Sequence, residues 1–141
     1  MTKINFTEYK TKEDFLKDFQ IRSGYLDLSD KQINDNDLTH ILKLIGVEPN
    51  LKELSLHSNK LTDIPTDIFN CLSSLEGLYL YDNQLETLQV GVFNGLSNLE
   101  CISLYDNKLE TLQMSIKKSL PNDCVIRTDN DFKWVKDENK K

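Results

Sequence analysis

The sequence predicts an α/β solenoid, a stack of similar coils sharing one parallel sheet, and two observations carry this prediction. First, the segment from Leu51 to about Pro121 consists of three copies of one pattern, beginning at Leu51, Leu75 and Leu99, a step of 24 residues. Second, apolar residues stand at the same places in each copy, so each coil buries its hydrophobic side only against its neighbours. The remaining segments must begin, extend or end this array.

Six columns of the repeat hold aliphatic residues or asparagine in every copy. They are Leu51/Leu75/Leu99, Leu54/Leu78/Ile102, Leu56/Leu80/Leu104, Asn59/Asn83/Asn107, Leu61/Leu85/Leu109 and Ile64/Leu88/Leu112. Around the second and third columns apolar and variable residues alternate, which predicts one short strand per coil with the apolar side chains inward. The pattern resembles the leucine-rich repeat family, whose LxxLxLxxNxL motif all three copies match. This resemblance implies a short right-handed horseshoe with a parallel concave β-sheet.

The asparagine column predicts a structural ladder. Asn59, Asn83 and Asn107 stand where each coil turns away from its strand, and backbone groups that leave a strand inside the coil need hydrogen-bond partners. An amide side chain offers both donors and an acceptor. We therefore expect these asparagines to be buried, and not to form an exposed binding row.

Residues 1–24 are predicted to cap the first coil. Thr11 followed by Asp14 marks a helix start, and Gly24 suits a helix C′ position. One face of this helix carries Phe15, Leu16 and Phe19. Because an array end exposes its apolar columns, terminal units must cover them. The apolar face of the helix is expected to do so.

Residues 25–121 are predicted to hold the repeats, one coil of 28 residues and then three of about 24. The first coil has Lys31 in place of the ladder asparagine and adds a helix, with N-cap candidates from Asp35 to Asp37 and a stop at Gly46. Its helical apolar stripe is Leu38, Ile41, Leu42 and Ile45. Later coils have room only for a short helix or irregular turns.

The array is predicted to end near residue 121. Phe69 and Phe93 share one column, which holds Lys117 in the next coil, so the phenylalanine row stops there. Residues 122–141 are expected to form a capping strand over Cys124 to Asp131, with Ile126 inward, followed by a mobile tail. Phe132 and Trp134 are expected to fold over the exposed end of the core.

Charge and hydropathy bound the partners and the compartment. The chain carries net charge −6, of which residues 25–131 hold −9 while residues 1–24 hold +1 and 132–141 hold +2. An acidic solenoid repels phosphate backbones, so nucleic acid is disfavoured and a partner with a basic or mixed-charge surface is favoured. There is no apolar run of the roughly 20 residues that a membrane helix needs and no secretory h-region. We therefore expect a cytoplasmic protein.

The three cysteines indicate free thiols. Cys71, Cys101 and Cys124 are odd in number and lack the spacing of a disulfide framework or a zinc site. Extracellular members of the resembled family usually close both ends with cysteine-rich caps, which have no counterpart here. A bridge between Cys101 and Cys124 is the alternative. We predict neither a metal nor a cofactor.

The sequence offers little for catalysis. It has no P-loop, GxSxG, HExxH or CxxC motif. His40 falls in the predicted convex helix as surface filler, and His57 would share the concave face with Cys101, two strands and roughly 10 Å away. That distance is too long for a nucleophile and its base. We predict that the chain is not an enzyme.

The outward positions of the strands carry the functional signal, because four of the five tyrosines fall on this one face. Tyr79, Tyr81 and Tyr105 would form an aromatic centre, with Gly77 leaving a dent beside it. A tyrosine-rich centre ringed by charge is typical of protein–protein hot spots. The predicted protein-binding residues are Asp27, Glu53, Ser55, His57, Gly77, Tyr79, Tyr81, Asp82, Ser103, Tyr105, Asp106 and Arg127.

These observations favour a module that binds one folded partner protein and is a monomer when free. Small proteins of this kind resemble recognition modules of bacterial effectors, which act inside a host cell, and of intracellular regulators of phosphatases and ligases. The resemblance implies an adaptor, or an inhibitor that covers a partner's active site. Two alternatives stay open: a fragment of an extracellular recognition receptor, and an enzyme with an unrecognised site.

Overall fold

A computed structural model describes residues 3–129 and 133–137, and its centre is one sheet of five parallel strands. The strands are β1 Tyr25–Asp27, β2 Glu53–Ser55, β3 Gly77–Tyr79, β4 Cys101–Ser103 and β6 Val125–Arg127. Equivalent residues pair in register, so that Leu26, Leu54, Leu78, Ile102 and Ile126 form one row. The predicted repeat solenoid is confirmed.

The core is a stack of aliphatic rows that runs through all the coils. Leu54, Leu78 and Ile102 are fully buried, and Phe69 packs on Phe93 with ring centroids 6.4 Å apart. The last member of the strand row, Ile126, is only half-buried, because β6 is the edge strand of the sheet that the described residues form. Each coil thus depends on its neighbours for burial, as expected for a quasi-linear array.

The asparagines join consecutive coils by hydrogen bonds. Asn83 Nδ2 donates to the carbonyl oxygens of Leu56 at 3.0 Å and Leu80 at 3.1 Å, while its Oδ1 accepts from the Leu61 amide at 3.0 Å. Asn59 and Asn107 make the same kind of contacts. One side chain therefore satisfies backbone groups of two coils.

The N-terminal segment packs on the first coil. Helix α1, Lys12–Asp18, begins at Thr11, whose hydroxyl oxygen accepts from the Asp14 amide at 3.1 Å, as predicted. Its aromatic face joins a cluster made of Phe6, Tyr9, Phe15 and Phe19. Lys12 forms an ion pair with Glu48 at 3.1 Å.

Two predictions about this region are wrong. Helix α1 ends at Asp18 with Phe19 as its C-cap, so Gly24 does not end it. Gly24 lies instead in the turn before β1 at φ +80°, where an added Cβ would meet Lys52 Cγ at 2.8 Å. His40 is not surface filler, because its Nε2 is 2.7 Å from the carbonyl oxygen of Tyr9 and so links the N-terminal segment to the first coil.

The convex helix of the first coil is α2, Asp35–Ile45. Its N-cap is Asn34, one residue before the predicted range, and Asp37 completes a capping box with it. The predicted stop at Gly46 is confirmed, with φ +58°. The segments that replace this helix in the next two coils are turns, and a short helix α3, Met114–Ser119, returns in the last one.

The C-terminal region adds a second sheet that the sequence did not predict. Strand β5, Thr111–Gln113, pairs in parallel with β7, Lys133–Val135. Trp134 is half-buried against the core, as expected, and Lys117 Nζ lies 5.7 Å from the centre of its ring. The predictions for residues 130–132, which are the end of the predicted capping strand and Phe132, and for the end of the tail, 138–141, lie outside the described residues. The division of the chain at residues 24 and 121 stays a prediction.

Candidate functional site

The concave face carries a continuous stack of three rings just beyond β2, β3 and β4. His57 and Tyr81 have centroids 4.4 Å apart at an interplanar angle of 6°, and Tyr81 and Tyr105 are 4.6 Å apart at 8°. In-register parallel strands lie about 4.8 Å apart, so a ring repeated at one column stacks on the next. All three rings are half-buried. We call His57, Tyr81 and Tyr105 the ring stack.

Beside the ring stack, Tyr79 is fixed by Glu53. Its hydroxyl donates to Glu53 Oε1 at 2.6 Å. This hydrogen bond, together with partial burial and the negative charge of Glu53, raises the pKa of Tyr79 to about 12. The phenol is therefore neutral at ordinary pH and points along the sheet.

The predicted dent at Gly77 is wrong, because Tyr79 covers it. A Cβ on Gly77 would lie 2.8 Å from the Tyr79 hydroxyl oxygen, and Gly77 is buried. A side chain at this position would displace the phenol. Gly77 thus provides space for Tyr79 and is not itself a contact surface.

Two predicted contact residues are also not open to a partner. Ser55 is 3% exposed and lies under Tyr25, whose hydroxyl is 2.8 Å from Ser55 Oγ. Ser103 is 4% exposed, because its short side chain stands in register between the longer ones of Tyr79 and Arg127. Ser55 and Ser103 therefore support the face from beneath.

Carboxylates border the ring stack on one side. Asp82 and Asp106 are exposed and follow Tyr81 and Tyr105 directly, and Asp30 takes the equivalent place after β1. These three residues, the acidic row, share φ values of +55° to +56°. Aspartate tolerates this left-handed conformation better than most residues. Aspartate at these positions therefore serves two purposes: it tolerates the positive φ of the backbone, and it places a negative charge beside the ring stack.

Asp27 carries a further charge at the N-terminal edge. Its Oδ1 accepts from the Ser29 amide at 3.0 Å and from the Ser29 hydroxyl at 2.6 Å. Burial alone would raise the pKa of this carboxyl, but the two hydrogen bonds from Ser29 and nearby positive charge lower it below its ordinary value. Asp27 is exposed and ionised.

The opposite side of the face is apolar at its C-terminal end. Cys101 and Val125 are register partners in β4 and β6, and Val125 is 51% exposed. Tyr25, at the other end of the same column, is 37% exposed. The predicted site did not include these three residues, although their shared column with Gly77 is visible in the repeat. Arg127 is exposed beside them.

The structure thus brings Tyr79, Tyr81 and Tyr105 to one open surface, flanked by carboxylates and by an apolar edge. Burial, followed by the charge of the neighbouring phenol of Tyr105, raises the pKa of Tyr81. The rings can offer apolar area and neutral hydroxyl groups, and the rim can offer negative charge. Such a surface suits recognition of another macromolecule.

Comparison with known proteins agrees with the repeat geometry. A family model described as leucine rich repeat matches residues 49–109. Residues 49–109 are therefore a leucine-rich repeat segment. Domains of this family generally mediate protein–protein interaction and are typically not enzymes.

Other comparisons add little. No curated protein matches the sequence at a significant level. One similar solved structure is titled as the Toll–Spatzle complex, a molecular hub in Drosophila development and innate immunity, with 23% identity and a TM-score of 0.42. The match covers 57% of this chain and 14% of that one. A likeness at this level does not bear on what the present chain binds. Within the described ranges, every helix is too short or too polar to cross a bilayer.

Proposed function

We propose that this chain binds one folded partner protein through its concave face, as an adaptor or as an inhibitor or other regulator of that partner. The observation that carries the proposal is the ring stack, three half-buried aromatic side chains held parallel on one face. Core packing does not require aromatic residues there, since the apolar columns already fill the interior.

The physical properties of the face favour binding. Stacked rings have little side-chain freedom left to lose, so a partner that covers them keeps most of the gain from burying their surface. Five strands at about 4.8 Å spacing span roughly 20 Å, and with its rims such a face approaches the ~800 Å² per partner of a standard interface. One domain of a folded protein fits this area.

Charge narrows the kind of partner. The segment 25–131 carries net charge −9, which favours a basic or mixed-charge protein surface and disfavours nucleic acid. Binding of this kind needs neither a cofactor nor a metal. We propose that the chain is a monomer when free. It acts in the cytoplasm, or in a host cell if the protein is a bacterial effector. An inhibitor would cover the active cleft of a partner enzyme.

Truncation of the tyrosines tests the proposal. Tyr79→Ala, Tyr81→Ala and Tyr105→Ala should each weaken partner binding by about 2 kcal/mol or more, the loss expected for a hot-spot side chain. The partner is first recovered on the immobilised chain, and its affinity for each variant is then measured by calorimetry. Thermal unfolding of each variant checks that the fold is kept.

Val90→Ala is the matched control, because Val90 is 48% exposed but lies in the loop part of its coil, outside the sheet. Its affinity should equal that of the unmodified chain. Unchanged affinity in all three tyrosine variants would reject the concave face as the binding site.

A further inference from the structure

We infer that the element bound on this face is an amphipathic α-helix that lies across the strands and places basic side chains one turn apart over Asp82 and Asp106. This inference rests on the proposed function and specifies its partner. It combines three observations: the spacing of the ring stack, the placement of the acidic row, and the apolar edge at Cys101 and Val125.

The spacing of the ring stack fits a helix better than an extended segment. The two ring-to-ring steps are 4.4 and 4.6 Å. A helix that crosses the strands presents one row of side chains every turn, about 5.4 Å. This spacing exceeds the ring-to-ring distance by about 1 Å per step. An extended chain presents side chains of the same face about 6.7 Å apart, which exceeds the ring-to-ring distance by about 2 Å per step. Over two steps the extended chain is out of register by almost one ring.

The acidic row sets the charge of one side of this helix. Asp82 and Asp106 are exposed at equivalent positions of adjacent coils and share one backbone conformation, so their backbones repeat at the spacing of the strands, about 4.8 Å. Side chains at i and i+4 of a helix lie about 5–6 Å apart. Arginine is the best match, since its guanidinium binds a carboxylate through two hydrogen bonds and also stacks on aromatic rings.

The apolar edge at Cys101 and Val125 favours apolar side chains on the other side of the bound helix. Cys101 is partly exposed, and Val125 is 51% exposed in the register position beside it. From Cys101 to Asp106 the chain advances five residues, at most roughly 17 Å, and a helix with its side chains is about 10–12 Å wide. One helix therefore covers about two-thirds of this width or more, with its basic stripe toward Asp106 and an apolar stripe toward Val125.

Three synthetic peptides test the inference on the full chain. The first is a helix-stabilised peptide with arginines at i and i+4 and leucines on the adjacent stripe. The second has the same composition with the arginines spread around the helix, and the third has two central prolines that prevent helix formation. Circular dichroism verifies their conformations, and fluorescence anisotropy at a fixed low salt concentration measures their affinities.

The first peptide should bind at least tenfold more tightly than the other two. The double variant Asp82→Asn and Asp106→Asn should reduce its affinity at least tenfold. Asparagine tolerates positive φ, so these changes remove charge with little strain. Asp67→Asn is the matched control, because Asp67 also has positive φ, +63°, and is exposed, but lies in the loop part of its coil, outside the sheet. It should change the affinity less than twofold.

Three results would overturn the inference: equal affinity for all peptides, no binding of the first peptide at millimolar concentration, or an equal effect of Asp67→Asn and the double variant. None of them would decide the proposed function, which is tested on the native partner with the tyrosine variants. Loss of native binding in those variants, combined with failure of the helical peptide, would keep the face and reject the helix.

Discussion

Single residues on the concave face are held by specific contacts that the repeat pattern does not contain. The columns of the repeat place Tyr79, Tyr81 and Tyr105 on one surface, and the structure agrees. The direction of each side chain is different. Tyr79 turns over Gly77 toward Glu53, and Tyr25 turns over Ser55. These rotamers depend on neighbours in other coils. The repeat columns alone therefore predicted an open dent at Gly77 and exposed side chains at Ser55 and Ser103, whereas all three residues are buried.

The Tyr79–Glu53 hydrogen bond makes a prediction about titration. The pKa of Tyr79 is raised from 10.0 to about 12, so its neutral form is favoured in the folded chain. The stabilisation from this contact is complete below pH 10 and is lost as pH rises through about 12. Glu53→Gln removes the negative acceptor, and we expect the pKa of Tyr79 to fall toward its ordinary value.

Near-ultraviolet absorbance of tyrosinate during an alkaline titration measures this effect. Tyr79→Phe identifies the contribution of Tyr79. Tyr9, whose pKa is also about 12 because of burial and of Asp18, is the internal reference that Glu53→Gln should leave unchanged. An identical titration of the Glu53→Gln variant and the unmodified chain would contradict the assigned contact.

At the scale of elements, coil packing depends on one close backbone approach. Gly95 has φ +89°, and an added Cβ would lie 2.7 Å from Asn70 Cα, in the preceding coil. A side chain at Gly95 is disfavoured both by the positive φ and by the clash with the Asn70 backbone. Gly46 also has positive φ, +58°, but the nearest atom to an added Cβ is 4.0 Å away.

The two glycines therefore give a matched pair of substitutions. Gly46→Ala should reduce the free energy of unfolding by about 1–3 kcal/mol, because the combination of φ +58° and ψ −140° is strained for any residue with a Cβ. Gly95→Ala should cost at least about 2 kcal/mol more, because the coils must move apart. Urea denaturation measures both. Equal losses would show that the approach of Gly95 to Asn70 does not limit the stacking of the coils.

Elements with a local signal were predictable, and those that depend on distant contacts were not. The start of α1 at Thr11 follows from its capping pair with Asp14. The end of α1 does not, since Gly24 serves the next turn instead. The pairing of β5 with β7 has no signal in the sequence, because each strand has three residues and is formed by pairing with the other. Similarly, the contact between His40 and the carbonyl oxygen of Tyr9 joins residues that are far apart in the sequence, so no local pattern predicts it.

At the scale of the whole molecule, the repeat step determines most of what could be predicted. A fixed period assigns every residue to a column, and a column in a parallel array becomes a row in space. The core, the asparagine ladder and the tyrosine face all follow from this rule. The identity of the partner does not, because the fold leaves it to the exposed side chains.

Two cysteines allow the most direct test of the concave face. Cys101 lies in β4, partly exposed on that face, whereas Cys71 is exposed in the loop part of its coil. Alkylation of the free chain and of its complex with the recovered partner, read by mass spectrometry, compares the two thiols within one sample. Cys124 is the slow reference, since burial raises its pKa.

We expect the partner to slow alkylation of Cys101 at least tenfold and to leave the rate at Cys71 unchanged. Protection of Cys71 with no change at Cys101 would place the partner elsewhere and contradict the account.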